Sequence, residues 1–101
     1  MRIGYARVST EGQETARQTR AFEEMGITKV FIDKASGKNT EREQLNKMLQ
    51  YIREGDTVIV ESISRIARNT KDLLTIIDTI RQRGADFITK EENAWVTTNN
   101  N

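Results

Sequence analysis

Cations and hydroxyls recur together at three places in this sequence: Arg7, Ser9 and Thr10; Lys34, Ser36, Lys38 and Arg42; and Ser62, Ser64, Arg65 and Arg68. A guanidinium offers a planar fork of N–H donors that matches a phosphate or a carboxylate in a bidentate way. If Arg7, Arg42, Arg65 and Arg68 converged to about 8 Å, each pair would repel by roughly 2 kcal/mol at an effective dielectric near ~20. Such a cluster persists if carboxylates neutralise it or if an anion such as phosphate occupies it. Both readings stand on spacing alone, because Glu61, Glu91 and Asp72 could pair with these arginines at the surface.

Composition narrows the chemistry further. The chain has 101 residues, with Lys+Arg 16 against Asp+Glu 15 and a formal net charge of +1, so any basic site is local. There is no Cys and no His, which excludes thiolate chemistry, a Ser-His-Asp hydrolase and a zinc enzyme. Asp33, Glu61 and Glu91 are single candidate oxygen ligands, and no pair of carboxylates suited to Mg²⁺ is evident. An acidic receiver-type pocket is disfavoured because the first apolar run ends in Arg7, where an Asp would be needed. Neither a G-x-x-x-x-G-K-[ST] loop nor a G-x-G-x-x-G fingerprint occurs. No apolar run has the length of a signal peptide or of a membrane span, so the expectation is a soluble, cytoplasmic protein without a membrane partner.

The elements that must position these residues alternate in type. Ile3 to Val8 reads as a strand. Gln18, Ala21, Phe22 and Met25 then follow helical spacing up to Gly26, a helix stop. Val30-Phe31-Ile32 is a second strand, and Leu45, Met48, Leu49 and Ile52 repeat the helical spacing before Gly55, with Thr40 and Glu43 as a capping box. Thr57 to Val60 is short and apolar enough to be a buried parallel strand at the sheet centre. Leu73, Ile76, Ile77 and Ile80 give a third helix ending at Gly84, and Phe87-Ile88 a fourth strand. The fold class expected is α/β, one domain with a central, mostly parallel, four- to five-stranded sheet and helices on both faces. Right-handed crossovers bring residues 7–14, 33–41 and 61–70 together at the carboxyl ends of the strands.

Two polar residues fall on apolar stripes. Gln18 precedes Ala21 by three, Arg42 precedes Leu45 by three, and both lie in the early part of their helices. Each could reach a site at the loop edge; equally, Gln18 could cap a neighbouring backbone group and Arg42 could lie over the sheet with its head in water. Ser9 has the rival reading of a plain turn or N-cap serine. Ser36 and Ser62 are read as structural, Tyr5 as a packing residue, and Trp95 as a cover for apolar surface.

The blocks Tyr5-Ala6-Arg7-Val8-Ser9-Thr10, Gln18, Asp33-Lys34-Ala35-Ser36-Gly37 with Arg42, Glu54-Gly55-Asp56 and Ser64-Arg65-Ile66-Ala67-Arg68 run in order over about residues 1 to 92. In this the chain resembles the catalytic domain of the serine recombinases, the resolvase/invertase family, with a resolvase-like three-layer sandwich. The resemblance implies a site-specific DNA recombinase acting in DNA integration, inversion, resolution or transposition. Its serine attacks a DNA phosphodiester, forms a 5′-phosphoserine link and exchanges strands in a synaptic homotetramer built from homodimers. It further implies that Ser9 is the nucleophile, that Arg7, Arg65 and Arg68 bind the scissile phosphate, and that Gln18 and Arg42 complete its surroundings. No cofactor and no metal is implied.

Two departures accompany the resemblance. The family often has Asp where this chain has Ser64, a residue that can hydrogen-bond but cannot neutralise charge. The aperiodic tail from Asn93 reads as a truncation, so that residues 1–101 are the catalytic domain without the family's dimerising helix and helix-turn-helix DNA-binding domain. Competing readings are a non-catalytic phosphate-binding or assembly module of the same fold, and a small phosphoester hydrolase that shares the layout.

Overall fold

The structure is a computed structural model, and it describes residues 1–8, 12–34 and 42–90. Along the chain run β1 (Arg2–Val8), α1 (Gly12–Glu24), β2 (Lys29–Lys34), α2 (Glu43–Tyr51), β3 (Thr57–Val60), a 3₁₀ turn (Ile63–Arg65), α3 (Thr70–Gln82) and β4 (Asp86–Thr89). The strands form one sheet in the order β2-β1-β3-β4, and every neighbouring pair is parallel. The four- to five-stranded expectation resolves to four among the described residues, with β1 and β3 as the two inner strands.

Alternation along the strands decides which layer each side chain joins. Ile3, Tyr5, Phe31, Val58, Val60 and Phe87 face one way, onto Leu45, Met48 and Ile52 from α2 and its end and Ile76 and Ile80 from α3. Ala6, Val8 and Ile59 face the other way, onto Phe22 and Ile27 at and just beyond the end of α1. Both faces are therefore covered and the sandwich has three layers, as the near-continuous apolar run of β3 requires. Each large apolar side chain so buried stabilises the fold by about 1.5–3 kcal/mol before conformational entropy is counted.

Two glycines are fixed by geometry. On β1, a Cβ placed on Gly4 would lie 3.0 Å from the Phe22 ring, so the missing side chain is what lets α1 approach the sheet. At the end of α3, Gly84 has φ +80° and its Cβ would meet the Glu54 backbone at 3.1 Å. Its N–H bonds the Arg81 carbonyl at 2.8 Å and Ala85 N–H bonds the Ile80 carbonyl at 3.1 Å, which closes the last helical turn.

The start of α2 differs from the expected capping box. Glu43 is the first helical residue and Arg42 the N-cap, without a side-chain cap bond of its own, while Thr40 lies outside the described residues. The N–H groups of Gln44 and Leu45, which have no partner within the helix, instead donate to the Asp33 carboxylate at 2.8 and 3.0 Å. A strand residue from β2 thus caps the helix, serving the same two orphan donors that a local Ser or Thr would serve.

Candidate functional site

All four described strands point their carboxyl ends toward one edge, and the described residues of the three cation-rich segments, Arg7, Lys34, Arg42 and those from Ser62 to Arg68, lie there, as parallel crossovers dictate. Ser9, Thr10, Ser36, Lys38, Glu91 and Trp95 lie outside the described residues. Most of the described cations and hydroxyls singled out in the sequence fall into three groups.

The first joins β1 to the 3₁₀ turn. Arg7 Nη2 donates to the Ser64 carbonyl at 2.8 Å, and Arg65 Nη1 donates to the Arg7 carbonyl at 2.8 Å. Two like charges far apart in the chain are thereby brought to one place by backbone oxygens, without a carboxylate between them in these bonds. Ser62 and Ser64 share a hydrogen bond between their hydroxyls at 3.1 Å, which supports Ser62, nearly buried, as a structural residue.

The second centres on Asp72, the third residue of α3. Its carboxylate takes both ends of the Arg42 fork, Nη1 at 2.7 Å and Nη2 at 3.0 Å, and also accepts the Arg68 backbone N–H at 2.9 Å. Arg42 Nη1 reaches the Ile66 carbonyl at 3.4 Å as well. The hydrogen-bonded Arg42 guanidinium, opposed by partial burial and aided by the Arg68 N–H, holds the Asp72 carboxyl below its ordinary value; Asp72 in turn raises Arg42. Arg42 therefore does not lie over the sheet with its head in water. It is ion-paired with one of the carboxylates that the sequence offers as partners, and it stands at the N-cap of α2 rather than within the helix.

The third group ties α1 to the end of β3. Gln18 is buried, and its amide nitrogen donates to the Glu61 carboxylate. Arg17 approaches the same carboxylate at 3.7 Å. A recess at this edge is lined by Arg17, Glu61, Ser62, Ser64, Arg65 and Lys90, a set in which cations outnumber the single carboxylate. Arg17 and Lys90 have no special spacing in the sequence; only the topology places them here.

Asp33, read as a candidate oxygen ligand, is engaged otherwise. Besides the two α2 N–H groups it accepts the Tyr5 hydroxyl at 2.7 Å, and three donors occupy this nearly buried carboxylate. Burial, with Asp33 beside it, pushes the Tyr5 phenol well above its ordinary range, so it stays a neutral donor. A packing role with a polar handle describes Tyr5. Asn69-x-x-Asp72 is a readable N-terminal signal for α3, and Asn69 does accept the Asp72 N–H at 2.8 Å. Sequence spacing does not reveal that the Asp72 carboxylate turns to Arg42.

Among the described residues, the edge presents the guanidiniums of Arg7, Arg42 and Arg65 with fixed attachment points, and guanidiniums are suited to binding a tetrahedral anion. Among the described residues no group of three carboxylates stands ready for a metal ion, and no helix is long and apolar enough to cross a membrane.

Comparison with known proteins gives consistent matches. Residues 2–101 match the sequence profile of the family described as Resolvase, N terminal domain. A resolvase of Clostridium perfringens (strain 13 / Type A) is 46% identical over 100 residues, covering 97% of this chain and 52% of that protein. The transposon Tn501 resolvase of Pseudomonas aeruginosa is 51% identical over 83 residues, covering 82% of this chain and 43% of that protein. The chain thus spans about half the length of the curated relatives it matches. Among solved structures, a resolvase family site-specific recombinase from Streptococcus pneumoniae superposes with a TM-score of 0.70 at 26% identity, covering 94% of this chain and 74% of that one.

Proposed function

Since this chain belongs to the resolvase family, whose N-terminal domain it carries, we propose that it is the catalytic part of a serine-type, site-specific DNA recombinase. The observation that supports this reading is that Arg7 and Arg65 are tied to each other, and Arg42 and the Arg68 backbone to Asp72, at the carboxyl ends of the parallel strands; Ser9 itself lies outside the described residues.

In this reading the Ser9 hydroxyl gives up its proton as its oxygen attacks a DNA phosphorus. An O–P bond forms to give a 5′-phosphoserine, the bond to the 3′-oxygen breaks, and that oxygen leaves as a 3′-hydroxyl after taking up a proton. Guanidiniums from Arg7, Arg65 and Arg68 offset the negative charge that develops on the oxygens of the pentacoordinate phosphorus, with Gln18 and Arg42 around it. The serine ester conserves the energy of the phosphodiester, so the reverse attack by a new 3′-hydroxyl rejoins DNA without ATP. Dimer and synaptic tetramer assembly, and reading of the DNA site, belong in this proposal to the longer protein, with the dimerising helix and the helix-turn-helix domain outside residues 1–101.

The test is covalent trapping in the full-length protein on plasmid DNA carrying its recombination site. Ser9→Ala abolishes protein–DNA adducts and leaves site binding almost intact. Adducts that persisted would remove Ser9 as the nucleophile. One observation favours the second reading, a phosphate-binding or assembly module without chemistry: Arg42 is already matched by Asp72. Under that reading Arg65→Ala or Arg68→Ala would weaken binding of DNA, and no cleavage would be found to lose.

A further inference from the structure

Arg42 is held at both of its ends. Its backbone sits at the start of α2, where Asp33 fixes the N–H groups of Gln44 and Leu45, and its guanidinium is gripped by both oxygens of Asp72. The Ile66 carbonyl takes a further hydrogen of Nη1. One Nη2 hydrogen and the Nε hydrogen stay outside these contacts, and the bidentate grip fixes the plane in which they point. The same Asp72 oxygen that binds Nη1 also accepts the Arg68 N–H, so the loop carrying Arg68 is tied to the carboxylate that orients Arg42. Asp72 is itself anchored in the first turn of α3, where Asn69 accepts its N–H.

We propose that Asp72 is a positioning residue: its carboxylate locks the Arg42 guanidinium and the Arg68 loop into one rigid unit, so that both arginines meet the scissile phosphate already oriented. The inference rests on the recombinase reading above. Asp72 touches no reacting atom. It acts by removing the rotational freedom of a long side chain before the anion arrives, which favours the transition state more than initial binding.

The experiment is single-turnover DNA cleavage by the full-length protein, with site affinity measured in parallel. Asp72→Asn keeps the shape and loses one acceptor oxygen and the charge. Its cleavage rate at saturation is expected to fall by about 10-fold to 100-fold, as misplacement of a catalytic group does, with site affinity changed by less than about 3-fold. In the Arg42→Ala background, Asp72→Asn is expected to slow cleavage by a smaller factor than it does in wild type, because the hold on Arg42 is already gone and the hold on the Arg68 loop alone is left to lose. Wild-type cleavage by Asp72→Asn, or losses that multiply in the double variant, would overturn the proposal. If Asp72→Asn does not fold, Asp72→Glu decides: it keeps the charge and both oxygens but displaces them by a methylene, so an unimpaired rate at saturation overturns the proposal and a slowed one upholds it. Failure here is distinct from failure of the recombinase reading, which is decided by whether Ser9→Ala still forms adducts.

Discussion

Arg7 and Arg65 hold each other through the main chain: the Arg7 guanidinium donates to the carbonyl preceding Arg65, and the Arg65 guanidinium donates to the carbonyl of Arg7, each at 2.8 Å. The pair makes a clasp between the end of β1 and the 3₁₀ turn that follows β3. Replacing either arginine by Met removes a charged donor from a carbonyl at this edge, and each is expected to lower stability in urea unfolding by about 1–2 kcal/mol. The double variant is expected to lose at least ~0.5 kcal/mol less than the sum, because each bond holds the same two segments together. Strictly additive losses would show that the two bonds are independent.

Asp33 carries more of the fold than its neighbours in sequence suggest. Asp33→Ala strips two N–H groups of α2 of their acceptor and leaves the buried Tyr5 hydroxyl unpaired, a loss expected at about 2–4 kcal/mol. Tyr5→Phe spares the cap and is expected to cost about 1 kcal/mol. Amide exchange at Gln44 and Leu45 separates the cases: it quickens in Asp33→Ala and stays slow in Tyr5→Phe. Equal exchange in the two variants would contradict a cap supplied by β2.

Acid should expose the ion pair on α3. Folding holds the Asp72 carboxyl below its ordinary value, chiefly through the Arg42 hydrogen bonds. The pair therefore adds stability that is fully present above the unfolded carboxylate value of about 4 and disappears as pH falls through the lower, folded value. The raised Arg42 pKa acts only in strong alkali, since its contribution is intact at every pH below the ordinary guanidinium value. Chemical unfolding at about pH 6 and at about pH 2 should show wild type losing more stability than Asp72→Asn. Parallel losses would mean that Asp72 carries no linked protonation.

Close packing of α1 depends on a hydrogen atom at Gly4. With the ring of Phe22 3.0 Å from where a Cβ would stand, Gly4→Ala is expected to destabilise by about 1–3 kcal/mol. Adding Phe22→Leu should recover part of that loss relative to Phe22→Leu alone. Thermal melting of the two singles and the double tests this, and a Gly4→Ala variant as stable as wild type would rule out the contact.

The strands, the helices and their glycine stops were legible because each depends on local periodicity and backbone conformation: Leu45, Met48 and Ile52, or Ile76 and Ile80, announce a buried face wherever they occur. The convergence of Arg7 with Arg65 was legible at one remove, through the rule that parallel crossovers gather loops at one edge. The capping of α2 was not. Thr40 and Glu43 match a local capping pattern, while the actual acceptor, Asp33, reaches Gln44 and Leu45 only after β2 has been laid beside α2. Gln18 and Glu61 were invisible as partners for a similar reason, being 43 positions apart on different layers. Pairing between a side chain and a distant carboxylate leaves no periodic trace in one sequence.

The order β2-β1-β3-β4 also sets a timetable for synthesis. Of the four described strands the earliest made, β1, is an inner one, and its second neighbour, β3, is made many positions later. Until residues 57–65 have emerged, the guanidinium of Arg7 has no Ser64 carbonyl to grip and the arginine of the 3₁₀ turn does not yet exist. The clasp at this edge therefore exists only once β3 and the turn after it are in place.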